Sequence, residues 1–311
     1  MKSRFLLPVL VMAICAMVVA AMVMLIPPRM GAPSNEDIPL GDQEAIADML
    51  SKIDEAEIHD TVFALQDLAS RHYGELGNAK ASEYLYGRLS NIDGLTVEYQ
   101  GGDIRNVIAT LPGSNSSSST ICMVGAHYDS VNDADPAHAP GATDNGGGVA
   151  IVLELARVMS QHTFENTIQF ALWNAEDGGA DARGSEVYAQ QAADNELDIL
   201  LYLNFDSSCY DPDGHLVLDV MSDQRSQWVS DMMVQHNSLY AIGFTLTLNA
   251  HDCWSDHRAF WDQGYPAVMT HQEDHDPAHT SRDTIDKVST LYAKKNGQLG
   301  LSVLARLAQL S

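Results

Sequence analysis

The 311 residues carry 42 acidic and 17 basic side chains, a formal net charge of −25, with 45% hydrophobic residues. Three of the basic residues (Lys2, Arg4 and Arg29) and none of the acids fall in the first 30 positions, so the remainder sets 14 basic residues against all 42 acids. Such a field repels nucleic acid and anionic lipid, and no basic stripe is available to follow phosphates, so nucleic acid drops out as a partner.

After Met1-Lys2-Ser3-Arg4 an apolar run extends from Phe5 to Ile26, broken only by Pro8 and closed by Pro27-Pro28-Arg29. At 1.5 Å per helical residue it is long enough to cross a bilayer core of about 30 Å. The run lacks a small-x-small exit, so residues 1–30 read as a transmembrane signal anchor rather than a cleaved leader. Lys2 and Arg4 place the short end in the cytoplasm and the rest outside it, periplasmic or extracellular; cleavage would instead release a secreted protein. Residues 31–41, rich in Pro, Gly, Ser and acids, read as a linker. Residues 42–311 have the length of one catalytic-sized α/β domain.

Apolar residues at helical spacing predict helices over 42–53, 59–72 and 79–89. Strands are expected over 95–99 and 105–111, followed by a serine run at 114–119 that reads as a solvated hairpin loop. Nearly continuous apolar runs at 121–126, 167–173 and 199–205 then alternate with helical stretches at 149–159 and 186–193. Buried strands joined by crossover helices mean an α/β fold, with a mostly parallel central sheet covered by helices on both faces. A hairpin-like region at 215–220, a helix over 224–239, a strand over 267–270 and a terminal helix over 287–310 complete the domain. Cys15, Cys122, Cys209 and Cys253 form no CxxC pair. Cys209 and Cys253 fall in expected loops of an exported domain, which makes them a candidate disulfide.

Five segments carry the chemistry. In each, an apolar run gives way to a small-residue turn bearing a metal-binding side chain: His127, Asp144, Glu176-Asp177, Asp206 and His279. Ligands of open α/β sheets collect beyond the carboxyl ends of the strands, and His127, Glu176-Asp177 and Asp206 each end one of the three apolar strands. Two histidines and three acids, with a spare glutamate, are the ligand inventory of a two-zinc hydrolase. The triplet Gly146-Gly147-Gly148 is not followed by Lys-Ser/Thr and reads as close packing of a helix behind Asp144 rather than as a phosphate cradle. Ser255-Asp256-His257 is not a serine triad, because adjacent Asp and His side chains cannot form the relay and no Gly-x-Ser-x-Gly elbow is present.

Ala126-His127-Tyr128-Asp129-Ser130, Gly141-Ala142-Thr143-Asp144-Asn145-Gly146, Asn174-Ala175-Glu176-Asp177 with Gly184-Ser185, Asn204-Phe205-Asp206, Ser255-Asp256-His257 and His279-Thr280 with Asp283-Thr284 resemble the motifs of the leucyl-aminopeptidase-type secreted bacterial di-zinc exopeptidases, a family that includes glutamate carboxypeptidases and glutaminyl cyclases. The likeness covers about residues 58–310. It implies that Asp144 bridges two zinc ions, that His127 and Asp206 complete one and Asp177 and His279 the other, and that Glu176 is the general base. It further implies that Asp129 accepts the second ring N–H of His127, that Asp283 does the same for His279, and that the segment holding Asp256 supports the metals. The substrate would be the N-terminus of a peptide. A glutaminyl cyclase, a carboxypeptidase using Arg183, Arg258 or Arg282, and a binding ectodomain without catalysis are the alternatives on the same fold. The chain departs from the family pattern in the shorter Asp177 where glutamate is frequent, in a longer loop before Gly184, and at His251-Asp252-Cys253-Trp254, where some members carry an oxyanion-binding tyrosine. Oligomeric state is not written in the sequence.

Overall fold

The computed structural model describes residues 40–311 except 179, 181–182, 251–252 and 273–275. The expected membrane anchor and most of the linker lie outside the described residues, among which no helix is long and apolar enough to cross a membrane.

The domain begins with two helices, α1 (Leu40–Ser51) and α2 (Glu55–Gln66). Asp54 caps α2 by accepting from the Ala56 N–H, and Glu55 and Glu57 in the first turn complement the helix dipole. Ile58, Val62 and Leu65, at helical spacing, face the core. The helix begins and ends earlier than the spacing predicts, because the chain turns at 67–74 with Ala69 at φ 69°. A third helix, α3 (Leu76–Ser90), precedes the sheet.

Eight strands follow: β1 (Thr96–Gln100), β2 (Asn106–Leu111), β3 (Thr120–His127), β4 (Thr167–Trp173), β5 (Asp198–Phe205), β6 (Val217–Ser222), β7 (Thr245–Leu248) and β8 (Ala267–His271). They form one sheet in the order β1-β2-β4-β3-β5-β8-β6-β7. The central pairs β4-β3, β3-β5 and β5-β8 are parallel, as is β6-β7, while β1-β2, β2-β4 and β8-β6 are antiparallel. The sheet is therefore mixed, with the expected parallel arrangement confined to its centre and far edge. The region expected to form a hairpin instead supplies β6, which pairs with strands distant in sequence; β7 was not anticipated, its four residues being too short for a pattern.

The remaining helices are α4 (Gly147–Met159), α5 (Gly184–Asp194), α6 (Gln227–Leu239), α7 (His257–Asp262) and α8 (Thr290–Leu307). One core joins α1, α2, α4, α6 and α8 to one face of the sheet through residues such as Met49, Val62, Ile151, Met233 and Leu304. A second, more aromatic core joins α5 and α7 to the other face through Trp173, Tyr188, Tyr202 and Phe260. Trp173 donates its indole N–H to the Tyr202 hydroxyl, which donates to Asn204 Oδ1, so the polar tips of these aromatics are satisfied within the core. The expected disulfide is absent: Cys122, Cys209 and Cys253 are free thiols. The Cys209 side chain instead fills the space above Gly147, where an added Cβ would lie 2.0 Å from its sulfur.

Candidate metal centre

Because β4, β3 and β5 are adjacent and parallel, their carboxyl ends share one edge. His127 is the last residue of β3 and pairs in register with Trp173 of β4, three residues before Glu176. On the other side Gly125 pairs with Asn204, two residues before Asp206. Asp144 enters from a turn after Gly141 that contains a cis peptide between Asp144 and Asn145. The turn is seated on β5: Asn145 donates from Nδ2 to the Phe205 carbonyl, and Gly148 approaches so closely that a Cβ would lie 2.6 Å from that oxygen. Only glycine permits α4 to begin here. His279 comes from a loop, in the left-handed region at φ 58°, and its carbonyl accepts from the Asp133 N–H.

The five side chains meet around the Asp144 carboxylate. His127 Nε2 lies 3.3 Å from Asp144 Oδ1 and 3.7 Å from Asp206 Oδ1. His279 Nε2 lies 3.2 Å from Asp144 Oδ2 and 3.2 Å from Asp177 Oδ1. Each oxygen of one carboxylate thus faces a different histidine, and each histidine approaches a different second acid. His127, Asp144 and Asp177 present ligand atoms all within 4.8 Å of one another. Among the described residues, no lysine or arginine pairs with Asp144, Asp177 or Asp206.

The field of this cluster calls for positive charge. Contacts with Asp144 and Asp177 push the His279 imidazole up to about 11. Burial works against ionisation of Asp144, yet His127 and His279 hold its carboxyl well below the usual range. Burial, reinforced by Asp144, raises Asp177 to about 7. The donor set of imidazole nitrogens and carboxylate oxygens, clustered without a lysine or arginine partner, fits divalent zinc.

Glu176 is buried beside the cluster, and burial raises its carboxyl well above the usual range. Its Oε1 lies 3.7 Å from Arg183 Nε, which also donates to the Glu176 carbonyl at 2.8 Å. Arg183 is held in turn over the Trp254 ring, 5.1 Å from its centroid. Asp129 Oδ1 stands 3.5 Å from His127 Nδ1, and the two Asp129 oxygens accept the N–H groups of Glu176 and Asp177. Asp283 does not reach His279 as expected. It accepts from Thr143 N–H and Oγ1–H and from Asp144 N–H, so it fixes the turn that presents Asp144. The chain reverses after His279, which brings Asp283 beneath that turn, where its carbonyl also accepts from Ala142 N–H. Asp256 is fully buried at the start of α7, and burial raises its carboxyl to about 7.

His271 pairs instead with Asp219, 3.2 Å from its Oδ2. His257 is buried, its imidazole pushed down to about 3; His251 and His275 lie outside the described residues. One residue escaped the sequence reading altogether. Arg71, expected inside a helix, is fully buried in the turn after α2, behind the cluster. No local pattern announces it; the only hint is a lone arginine in a turn of a strongly acidic chain.

Comparison with known proteins gives this geometry a lineage. The family model described as Peptidase family M28 matches residues 106–304. A probable leucine aminopeptidase of the fungus Trichophyton verrucosum is 26% identical over 287 residues, covering 86% of this chain and 76% of that protein. The fold is shared with the crystal structure of Legionella pneumophila LapA aminopeptidase, at a TM-score of 0.79 and 19% identity over 92% of this chain and 79% of that one. It is also shared with a Fimbriiglobus ruber glutaminyl cyclase, at a TM-score of 0.70 and 19% identity over 88% of this chain and 99% of that one.

Proposed function

This chain belongs to peptidase family M28, and from that premise we propose that it is a zinc-dependent aminopeptidase that removes N-terminal residues from peptides with a pair of zinc ions. The observation that carries the reading is the division of the Asp144 carboxylate: Oδ1 faces His127, which also approaches Asp206, whereas Oδ2 faces His279, which also approaches Asp177. His127, Asp206 and Asp144 would hold one zinc, and His279, Asp177 and Asp144 the other. When bound, the zinc pair polarises the scissile carbonyl and makes the attacking water more acidic.

The remaining steps fall to the protein's own groups. The Glu176 carboxylate takes the proton of the attacking water and delivers it to the departing amine nitrogen. Its raised affinity for a proton suits both halves of that transfer. Arg183, engaging both the Glu176 carbonyl and its carboxylate, keeps the base aimed. Asp129 stands 3.5 Å from His127 Nδ1 without a hydrogen bond to it and, by accepting the backbone N–H groups of Glu176 and Asp177, holds the base and a ligand in one frame. Asp283 fixes the Asp144 turn, and Asp256 lines the buried floor near His127 and Asp206.

A glutaminyl cyclase is the second reading, supported by the shared fold of the Fimbriiglobus ruber protein. It would work with one zinc and release ammonia rather than an amino acid. The carboxypeptidase alternative is weakened because Arg183 and Arg282 already pair with Glu176 and Asp276. We place the catalytic domain at residues 42–311, outside the membrane, tethered through residues 31–41 to an anchor within 1–30. Hydrolysis of aminoacyl-nitroanilides, abolished by chelation and restored by zinc, tests the activity; release of ammonia from N-terminal glutamine without hydrolysis would replace it with the cyclase.

A further inference from the structure

Arg71 is fully buried and, among the described residues, forms no ion pair. Its guanidinium is spent on backbone carbonyls: Nε donates to Tyr128 O at 2.7 Å, Nη1 to Pro140 O at 2.6 Å and Nη2 to Gly141 O at 2.7 Å. Tyr128 follows His127, and Gly141 precedes Asp144 by three residues, so one planar fork closes the neck of the loop between them. The fork is itself tied down. The Arg71 N–H donates to Ser130 Oγ at 3.2 Å, and the Arg71 carbonyl accepts from Asn78 Nδ2 at 2.8 Å. Gly141 sits at φ +56°, and a Cβ there would lie 2.5 Å from Ser130 Cβ and 2.8 Å from Arg71 Nη2. The backbone at this position accommodates the guanidinium and no side chain.

Neutral donors would satisfy three carbonyls without the desolvation cost of a buried charge. The charge has a second use. Asp283, Asp129, Asp177 and Asp144 all act favourably on Arg71, though none touches it. Burial pulls the guanidinium down only to about 10, so it remains a cation at neutral pH.

We propose that Arg71 is a positioning residue that acts as the fixed internal counter-charge of the metal centre, holding the His127 and Asp144 segments together and offsetting their carboxylates before zinc arrives. This rests on the two-zinc reading above. Zinc and Arg71 then do overlapping electrostatic work: without the arginine, assembly of the acid cluster depends more heavily on the metal.

The test is thermal unfolding of the full-length chain in zinc and in EDTA, for the wild type and for Arg71→Met, Arg71→Gln and Arg71→Lys at pH 7. The neutral variants should lose more Tm in EDTA than in zinc, widening the zinc–EDTA gap by at least about 5 °C. Arg71→Lys, which keeps the charge but not the fork, should lower both Tm values while leaving the gap near that of the wild type. A neutral variant that folds only in zinc is the limiting form of the same result. Equal losses in zinc and EDTA would reduce Arg71 to a hydrogen-bond staple and overturn the proposal. Should both neutral variants fail to fold in either medium, Arg71→Lys decides: a preserved gap supports the counter-charge and a widened one rejects it. A wild-type chain with the same Tm in zinc and EDTA would instead sink the metal reading itself.

Discussion

His127 and Asp206 leave the ends of β3 and β5, adjacent parallel strands at the centre of the sheet, and their side chains are 1% and 10% exposed. Asp177 and His279 stand on turns, the first two residues after Ala175 at φ 61° with its side chain 6% exposed and the second itself at φ 58° with its side chain 46% exposed. The two halves of the proposed centre would share the Asp144 carboxylate, but one is rooted in strand pairing and the other in loop conformations. Elements with more packed contacts open less often, so the strand-rooted half should be the better preorganised of the two.

The largest effect should come from breaking what the halves share. Asp144→Asn removes charge from both at once, and aminopeptidase activity should fall by at least about 10³-fold with loss of bound zinc from both positions. Retention of two zinc ions by this variant, measured by elemental analysis, would show that the halves do not meet at Asp144. Glu176→Gln should leave both halves filled while kcat falls about 10²- to 10⁴-fold, because only the proton carrier is changed. Parental kcat in this variant would remove Glu176 from the reaction.

The asymmetry itself is sharpened by chelation. Zinc should leave in two steps, the loop-rooted ion first, and His279→Ala should hold one ion under conditions in which His127→Ala holds the other less tightly, by roughly tenfold or more. Simultaneous release in the wild type would erase the distinction. The smallest effect lies outside both halves. His236, buried on α6 with Nδ1 3.0 Å from Ser302 Oγ, has its imidazole pushed down to about 4 by burial, with Arg306 adding to the effect. Its folded-state value is below that of the unfolded chain, so the unfolded chain takes up the proton first. Stability from this group is complete above about pH 6.5 and is lost as pH falls towards 4, by about 3 kcal/mol at most. His236→Gln should flatten that part of the stability profile without altering zinc release; an unchanged profile would contradict the assignment.

The strand-rooted half is also the half that the sequence displays most openly. Three apolar runs each stop at a metal-binding residue, and parallel pairing alone brings such ends together. Asp177 follows the end of the second of these runs, whereas His279 has no strand behind it and joins a particular metal only through motif likeness, since a turn leaves no periodic trace. Asp283 was placed against the wrong partner because its role depends on which turn packs beneath which, a tertiary fact. Arg71 is hidden for the same reason: three of its partners are backbone carbonyls 57 to 70 residues away, and the turn after Gln66, with Ala69 at positive φ, takes Arg71 off the helix that the apolar spacing continues to 72. The antiparallel pairings β1-β2, β2-β4 and β8-β6 depend on which strands meet in space, which no run shows by itself, and β7, four residues long, is too brief to show alternation.

Anomalous scattering at the zinc edge, from crystals of the protein grown with zinc, tests the arrangement most directly. Two peaks should flank the Asp144 carboxylate, one beside His127 and Asp206 and the other beside His279 and Asp177. A single peak, or a pair with no shared Asp144 contact, would contradict the two-zinc account.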